Sequence, residues 1–200
     1  QIDNTLTTLN GFGIGRNDRI AIVLPNGPEM AIAYISVAMA ATTAPLNPAY
    51  RVDEYSFYLN DLSAKALLVE AGSTSPAVEA ATSLNLPILE LTTDDQRPAG
   101  SFDILPKEAM SGTPASGGLA QTDDVALVLH TSGTTSRPKR VPLTHGNLVA
   151  SVGNIVDTYG LTPDDVSLCI MPLFHVHGLM ASTLATFASG GTVVVPSRFN

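Results

Sequence analysis

The stretch "RIAIVLPNGPEMAIAYISVAMAATTAPLNP", residues 19–48, decides the fold. Residues 19–24 form a short apolar run rich in β-branched side chains, which predicts a buried strand. A break containing Pro and Gly ends that run, and residues 29–41, rich in Ala and Met, predict a helix with broad apolar cover. The chain then returns to extended structure, which ends at Pro48. A strand, a helix and a second strand in this order predict a parallel α/β sheet.

The same alternation continues as far as residue 91. Residues 64–70 and 86–91 are apolar runs that predict strands, and residues 75–84 predict a helix between them. Residues 53–62 place Tyr and Leu at helical spacing, which is typical of an ordinary amphipathic helix.

Residues 92–124 differ from the rest of the chain, because they are rich in Gly, Pro, Ser, Thr and Asp and lack sustained periodicity. They predict a long surface connection, which is unusual inside one compact domain. We therefore expect an α/β fold with two parallel-type β-sheet subdomains and flanking helices, residues 1–91 and 125–200, joined by a linker at 92–124. Beyond the linker, the sequence predicts a strand at 125–130, followed by the loop and the residues "VPL" at 141–143. A helix at 145–157 capped by Thr144, a strand within 161–174, a helix at 178–188 and a strand at 192–196 come next.

Charge and hydropathy limit the classes of function. The 200 residues carry a net charge of −8, and only 14% of them are charged, against roughly 25% in an average domain. Mean hydropathy is +0.22. Because the chain also begins at Gln1 without a Met, we expect a piece of a longer polypeptide whose C-terminal part is missing. The acidic balance argues against nucleic acid as a partner, since nucleic-acid binding needs a broad basic face.

Several features bear on the compartment. The longest apolar stretch, residues 31–46, is too short and too broken by Thr and Pro to span a bilayer. The start of the chain has no basic segment followed by an apolar core, so no signal peptide is visible. The single cysteine, Cys169, excludes an internal disulfide, and we expect it to be a packed apolar residue. These features predict a cytoplasmic protein, or a peroxisomal one in a eukaryote.

Positive charge concentrates in "LVLHTSGTTSRPKRVPLTH", residues 127–145. Three of the ten Lys and Arg residues are Arg137, Lys139 and Arg140, and no Asp or Glu occurs between positions 125 and 156. A positive segment in an acidic chain predicts an anion site, and the point charge of Lys139 suits a phosphate. The alternative is a solvated Ser/Thr turn with a few surface cations.

The residues before these cations supply the donors that an oxyanion needs. Gly133 lets the backbone approach closely, and successive N–H groups in such a turn form an anion-binding concavity. The loop follows a predicted strand, which is where ligands bind in open α/β sheets. It lacks the second Gly and the following hydroxyl of a Walker A loop. The hydroxyl-bearing residues are Thr131, Ser132, Thr134, Thr135 and Ser136.

Three motifs, in order along the chain, resemble the adenylate-forming enzymes, which include acyl-CoA synthetases, luciferases and peptide-synthetase adenylation domains. "HTSGTTSRPK", residues 130–139, resembles their phosphate-binding loop, and "MPLFHVHGLM", residues 171–180, resembles their next motif. Residues 18–48 resemble their opening strand–helix–strand. The resemblance covers nearly the whole chain, and it implies the N-terminal portion of the adenylate-forming enzyme fold.

Within that family, the loop with Ser136, followed by "VPLTH" and "PLFHVHGL", is similar to oxalate–CoA ligases. Medium-chain acyl-CoA and malonyl-CoA synthetases are close competitors. Further alternatives are an enzyme that uses another acceptor, through luciferase-like oxidation or transfer to a carrier-protein thiol, and a catalytically incomplete binding module. Arg140 favours the last of these, because it stands where the family usually has Gly. If that position needs a positive φ, the backbone of Arg140 is strained by about 1 kcal/mol. Three roles are open for its charge: it contacts a phosphate, it contacts a partner, or it has no role.

The resemblance implies two half-reactions. A carboxylate attacks the α-phosphate of Mg-ATP, giving an acyl-adenylate and pyrophosphate, and the thiol of coenzyme A then displaces AMP. The expected cofactors are therefore ATP, Mg²⁺ and coenzyme A as co-substrate, and the expected substrate is a small carboxylic acid. Residues 131–136 would hold the β- and γ-phosphates, with Lys139 as a catalytic counter-charge. We expect this loop to be poorly ordered without nucleotide.

The second motif supplies the expected acyl pocket. His175 matches the family's motif histidine, which implies a catalytic role in binding the substrate carboxylate or in gating between the half-reactions. Phe174 and Gly178 would shape the same pocket. His177 would share a strand face with His175 and supply a second positive donor to a small dianion. No metal is expected at this pair, because no adjacent Asp, Glu or Cys completes a site.

The rest of the family's machinery lies beyond position 200 in such enzymes: the adenine-binding segment, the Mg-coordinating glutamate, the ribose-binding aspartate, the hinge and the C-terminal lysine. We therefore expect the 200-residue chain alone to be inactive. Of the remaining histidines, we expect His130 to be packed at a strand end and His145 to be a surface or capping residue.

Overall fold

A mixed seven-stranded sheet lies at the centre of the structure, a computed structural model that describes residues 1–131 and 138–196. Its strands are β1 (Arg19–Val23), β2 (Thr42–Pro45), β3 (Ala66–Glu70), β4 (Ile88–Thr92), β5 (Asp103–Pro106), β6 (Val125–Thr131) and β7 (Lys139–Thr144). A separate parallel pair consists of β8 (Val166–Leu168) and β9 (Thr192–Val194). The helices are α1 (Ile2–Gly11), α2 (Pro28–Ala38), α3 (Val52–Leu62), α4 (Pro76–Ser83), α5 (His145–Tyr159), a π-helical segment (His177–Leu184) and α6 (Ala185–Ala188).

The strand order of the large sheet is β5-β4-β3-β1-β2-β6-β7. β1 pairs in parallel with β2 and β3, β3 with β4, and β2 with β6. The edge strands β5 and β7 run antiparallel to their neighbours. The chain moves to one side of β1 for β2 and to the other side for β3, so right-handed crossovers place helices on both faces. The carboxyl ends of the parallel strands meet along one edge of the sheet.

The central strand β1 explains why the opening stretch is apolar throughout. Ile20 and Ile22 belong to a core cluster with residues of α1, α2 and α5, while Ala21 and Val23 belong to a second cluster with residues of α3 and α4. A parallel strand covered on both faces needs apolar side chains at every position, and an alternating pattern is not expected there.

Two threonine hydroxyls join β2 to β6. The Oγ1 of Thr42 donates to the carbonyl of Val125 at 2.6 Å, and the Oγ1 of Thr43 donates to the carbonyl of Ala126 at 2.9 Å. Both threonines are buried. In the strand register, Thr43 lies opposite Leu127. These bonds attach the strand that precedes the candidate loop to the first half of the chain.

The predicted strand–helix–strand unit and the α/β class are confirmed. Two elements were not predicted. α1 is rich in Thr and Asn, which have weak helix propensity, and its buried residues are only Thr5 and Leu9. β5 has four residues, too few to show a period, and it gains its strand conformation from pairing with β4.

Residues 92–124, predicted as a linker, contribute β5 to the large sheet. β6 and β7 extend the same sheet on its other side, so this segment does not separate two sheets. The small β8–β9 sheet begins only after α5. The division into residues 1–91, 92–124 and 125–200 stays a prediction. Among the described helices, none combines the length and apolar character that a bilayer-spanning segment needs.

The N-terminus of α5 is fixed by a reciprocal pair of hydrogen bonds, which confirms Thr144 as its N-cap. The Oγ1 of Thr144 accepts from the N–H of Asn147 at 3.2 Å, and the side-chain carbonyl of Asn147 accepts from the N–H of Thr144 at 3.0 Å. Such a capping box satisfies two backbone donors that the helix leaves unpaired. It allows α5 to begin directly after β7.

Replacing this cap tests its contribution to stability. We expect Thr144→Ala to lower the free energy of unfolding by about 1 kcal/mol, because the N–H of Asn147 loses its acceptor. Urea unfolding followed by circular dichroism measures the change. Thr158→Ala is the matched control, since Thr158 is exposed in the same helix, and it should stay within about 0.5 kcal/mol of the parent. Equal effects of the two substitutions would contradict the capping role.

Candidate functional site

A cavity of about 220 Å³ lies at the carboxyl ends of β2 and β6, where ligands bind in open α/β sheets. We call it the β2–β6 pocket. One wall comes from the end of β2 and the residues after it, and a second comes from the end of β6. The third wall comes from the predicted second motif, residues 171–180. The lining residues are Pro45, Leu46, Asn47, Tyr50, Leu129, His130, Phe174 and His175.

The wall that carries Phe174 and His175 is held by its neighbours. The N–H of Leu173 donates to the Asn26 side chain at 3.0 Å, and the Leu173 side chain is buried. The N–H of His175 donates to the carbonyl of Pro172 at 3.0 Å, which closes a turn. The two aromatic rings lie 4.9 Å apart. The structure thus places both predicted residues, Phe174 and His175, on one pocket wall.

Gly178 supports this wall from behind. A Cβ at this position would lie 2.7 Å from the carbonyl oxygen of Pro172 and 2.8 Å from that of Met171. The carbonyl of Gly178 also accepts from the Thr183 hydroxyl at 2.8 Å. Cys169, buried as expected, packs against the same carbonyl. Gly178 therefore packs closely against the backbone that precedes Phe174, and it is absent from the pocket lining.

His177 does not join His175. The prediction that the two histidines share a strand face is wrong, because β8 ends at Leu168 and the chain enters a π-helical segment at His177. His175 lies in a bend before that segment, so the two side chains do not follow the alternation of a strand. His177 instead lines another cavity, of about 300 Å³, together with Tyr159 and Asp165.

The hairpin of β6 and β7 brings Thr131 and Lys139 together. They lie directly opposite each other in the register, and both are exposed. This pair flanks the candidate phosphate loop, whose residues Ser132, Gly133, Thr134, Thr135 and Ser136 lie outside the described residues. The prediction that this loop is poorly ordered without nucleotide also concerns residues outside the described ones.

Arg140 occupies an ordinary strand position opposite His130. It is not among the residues with positive φ, so the strain considered for this position is absent. Its guanidinium points to the end of α3. The Nε lies 3.2 Å from the Oδ2 of Asp61, and the Nη1 donates to the Asp61 carbonyl at 2.6 Å. The charge of Arg140 is therefore engaged by a carboxylate of the same chain.

His130 is packed, as expected, and it also lines the pocket. Its Nε2 lies 3.1 Å from the Oδ2 of Asp61, and its side chain is only 7% exposed. The Tyr58 ring packs edge-on against the imidazole at 4.7 Å. Asp61 lies 69 residues from His130, and no local pattern in its amphipathic helix could have identified it.

Asn47 and Tyr50 were also missed by the sequence predictions. The Tyr55 hydroxyl donates to the Asn47 carbonyl at 2.8 Å, which fixes the chain just after β2. The Tyr50 and Tyr58 rings stack at 4.8 Å. Burial, with a smaller effect of the neighbouring Tyr58, raises the pKa of Tyr50 above its usual value, so its phenol stays a hydrogen-bond donor at neutral pH.

His145 has a different role from the one expected. Its Nε2 lies 3.0 Å from the carbonyl of Ala38, so it links the start of α5 to the end of α2. It is half-buried, and Thr144 is the cap. Within residues 1–131 and 138–196, no group of three or more His, Cys, Asp or Glu side chains could hold a metal ion.

A comparison with known protein families matches residues 4–200 to the family described as AMP-binding enzyme. The chain belongs to the AMP-binding enzyme family. The resemblance to adenylate-forming enzymes is thereby confirmed. An oxalate–CoA ligase of Saccharomyces cerevisiae is 43% identical over 206 residues, and one of Arabidopsis thaliana is 43% identical over 189 residues.

The match covers only part of these AMP-binding relatives. Each alignment takes in 92% of this chain but only 38% of the yeast protein and 36% of the plant protein. Among solved structures, apo MatB from Rhodopseudomonas palustris matches 100% of this chain and 39% of its own, with a TM-score of 0.79 and 24% identity. That likeness confirms the expected fold.

The close approach at Gly178 can be tested by adding one methyl group. We expect Gly178→Ala to lower the free energy of unfolding by roughly 1–3 kcal/mol, since the new Cβ meets two backbone carbonyls. Gly153→Ala is the matched control, because nothing lies within 4 Å of a Cβ at this helical position. It should leave the protein unchanged or stabilise it by about 0.5–1 kcal/mol. A neutral Gly178→Ala in thermal unfolding would contradict the packing role.

Proposed function

We propose that the whole protein is an ATP-dependent acid–CoA ligase. It activates a small carboxylic acid as the acyl-adenylate and passes the acyl group to coenzyme A. The observation that carries the proposal is the position of the β2–β6 pocket. In a chain of the AMP-binding enzyme family, it lies beside the hairpin that carries Thr131 and Lys139.

The first half-reaction needs little covalent chemistry from the protein. The acid's carboxylate oxygen attacks the α-phosphorus of ATP, and the bond to the β-phosphate oxygen breaks to release pyrophosphate. Negative charge builds on that leaving group, so fixed donors and a cation lower the barrier. In this proposal, Lys139 supplies the cation, and the hydroxyl and backbone groups of residues 131–136 supply the donors.

The described residues contain no cluster that fits Mg²⁺. In this proposal, Mg²⁺ arrives as the complex with ATP. No step above depends on a metal held by these residues.

The polar lining of the pocket favours a small acid. The volume of the pocket is about 220 Å³. The polar residues among its lining are Asn47, Tyr50, His130 and His175. Several donors around a small space suit a dicarboxylate better than an alkyl chain. Two relatives at 43% identity are oxalate–CoA ligases, so we propose oxalate as the acid.

Two of the alternatives receive less support from this geometry. The polar residues that line the β2–β6 pocket suit the alkyl chain of a medium-chain fatty acid less well than a small polar acid. The binding-module reading depended on Arg140, whose charge is now explained by its contacts with Asp61. Malonate is a dicarboxylate only one carbon longer than oxalate, so the choice between these two acids depends on experiment.

A pyrophosphate-release assay on the full-length protein tests the reaction and the acid together. Oxalate, malonate, hexanoate and a coumarate-like acid are compared, each with and without coenzyme A. We expect the highest kcat/KM with oxalate, and sustained turnover only with coenzyme A, because the thiol clears the adenylate. Release with none of these acids would contradict the ligase, and a preference for hexanoate would contradict the small-acid assignment. Equal turnover without coenzyme A would contradict it as the acceptor.

The role of Lys139 can be tested by removing its charge. We expect Lys139→Ala to lower kcat/KM for ATP about tenfold or more, since a charge-assisted contact to phosphate contributes roughly 1.5–3 kcal/mol. Lys65→Ala is the matched control, because Lys65 is also exposed but precedes β3, at the opposite edge of the sheet. It should keep the parent's kinetics. Equal losses in both variants would indicate a general effect of surface charge.

A further inference from the structure

One carboxylate joins helix α3 to both strands of the hairpin. The Oδ2 of Asp61 lies 3.1 Å from the Nε2 of His130 on β6 and 3.2 Å from the Nε of Arg140 on β7. The guanidinium also donates to the backbone carbonyl of Asp61. His130 and Arg140 lie opposite each other, one register step from Thr131 and Lys139. We call Asp61, His130 and Arg140 the Asp61 network.

The helix end explains why this network needs Arg140. Asp61 lies in the last turn of α3, where the helix dipole is negative and a carboxylate is unfavourable. A cation in the same place is favourable, and Arg140 meets both the carboxylate and a carbonyl of that turn. Arg140 thus compensates the charge of Asp61 and holds its side chain in one place.

The carboxylate in turn orients the ring of His130. A ring nitrogen that donates to a carboxylate carries a proton, so the contact at Nε2 keeps a proton on that nitrogen and fixes the orientation of the ring. The Tyr58 ring restricts the imidazole further. When both ring nitrogens carry protons, Nε2 donates to the Asp61 carboxylate, and the Nδ1–H is the donor that remains for an acid in the β2–β6 pocket, which His130 lines together with His175.

We infer that Asp61 is a positioning residue for the acid substrate, acting through His130, and that Arg140 holds Asp61 in place. His130, and not His177, is the second histidine that meets a small dianionic acid. The inference rests on the proposed function and deepens it. A network that merely supported the fold would affect ATP and acid alike, whereas this one acts on the acid.

The test uses the full-length protein and the acid that it activates best in the pyrophosphate assay. We expect Asp61→Asn and His130→Ala each to raise the KM for the acid about tenfold, with the KM for ATP changed less than about twofold. Combining Asp61→Asn with His130→Ala should add nothing to His130→Ala alone, because Asp61 acts through that ring. Arg140→Ala should raise the KM for the acid, and Arg140→Lys should restore most of the loss.

The matched control is Asp53→Asn. Asp53 lies in the first turn of the same helix and forms an exposed ion pair with Arg51 at 3.1 Å, so this variant removes a similar charge and pair away from the pocket. It should keep both KM values. If Asp61→Asn fails to fold, the Arg140→Ala and Arg140→Lys pair carries the same comparison.

Three outcomes would overturn the inference: an unchanged KM for the acid, a parallel rise in the KM for ATP, or an Asp61→Asn effect that persists in the His130→Ala background. With an active parent protein, these outcomes leave the proposed function standing. A parent protein that activates no acid would contradict the proposed function itself and the inference with it.

Discussion

The pairing of β2 with β6 is the contact on which the rest of the site depends. β1 to β5 come from residues before 107, and β6 and β7 come from residues after 124. The two parts of the sheet meet through Thr43 opposite Leu127 and through the hydroxyls of Thr42 and Thr43, which donate to carbonyls of β6. A buried hydroxyl without an acceptor costs roughly 1–3 kcal/mol, so these bonds favour this register over others. The register places the carboxyl end of β6 beside that of β2.

Given that register, the walls of the β2–β6 pocket are fixed locally. Asn26 holds the turn that carries His175, and Tyr55 holds the segment after β2. The cations of the hairpin are not equivalent as partners for an anion. Arg140 is paired with Asp61, and Lys139 lies exposed next to the candidate loop. The charge offered to an anion at the described end of the hairpin is therefore that of Lys139, and the attraction is concentrated at one point.

The parts of the structure that the sequence predicted are those set by local patterns. β1 could be recognised because burial on both faces leaves a continuous apolar run, and Thr144 because a cap has its own chemistry. The Asp61–His130 contact could not be predicted, because 69 residues separate the partners and only the strand order brings them together. The orientation of His177 was predicted wrongly for a related reason. A strand was assumed as far as His177, but β8 ends at Leu168 and a helical segment begins at His177.

Arg140 stands without strain at a position where the resemblance to the family implies glycine. The position is an extended strand residue, so a side chain costs nothing in backbone conformation. The two partners of the ion pair are not equivalent. Without Asp61, Arg140 would still lie at the negative end of α3 and keep part of its stabilisation. Without Arg140, the Asp61 carboxylate would face that same end with His130 as its one remaining partner in the Asp61 network. Arg140 therefore stabilises the Asp61 carboxylate more than Asp61 stabilises Arg140. Because Asp61 orients His130, the orientation of His130 also depends on Arg140.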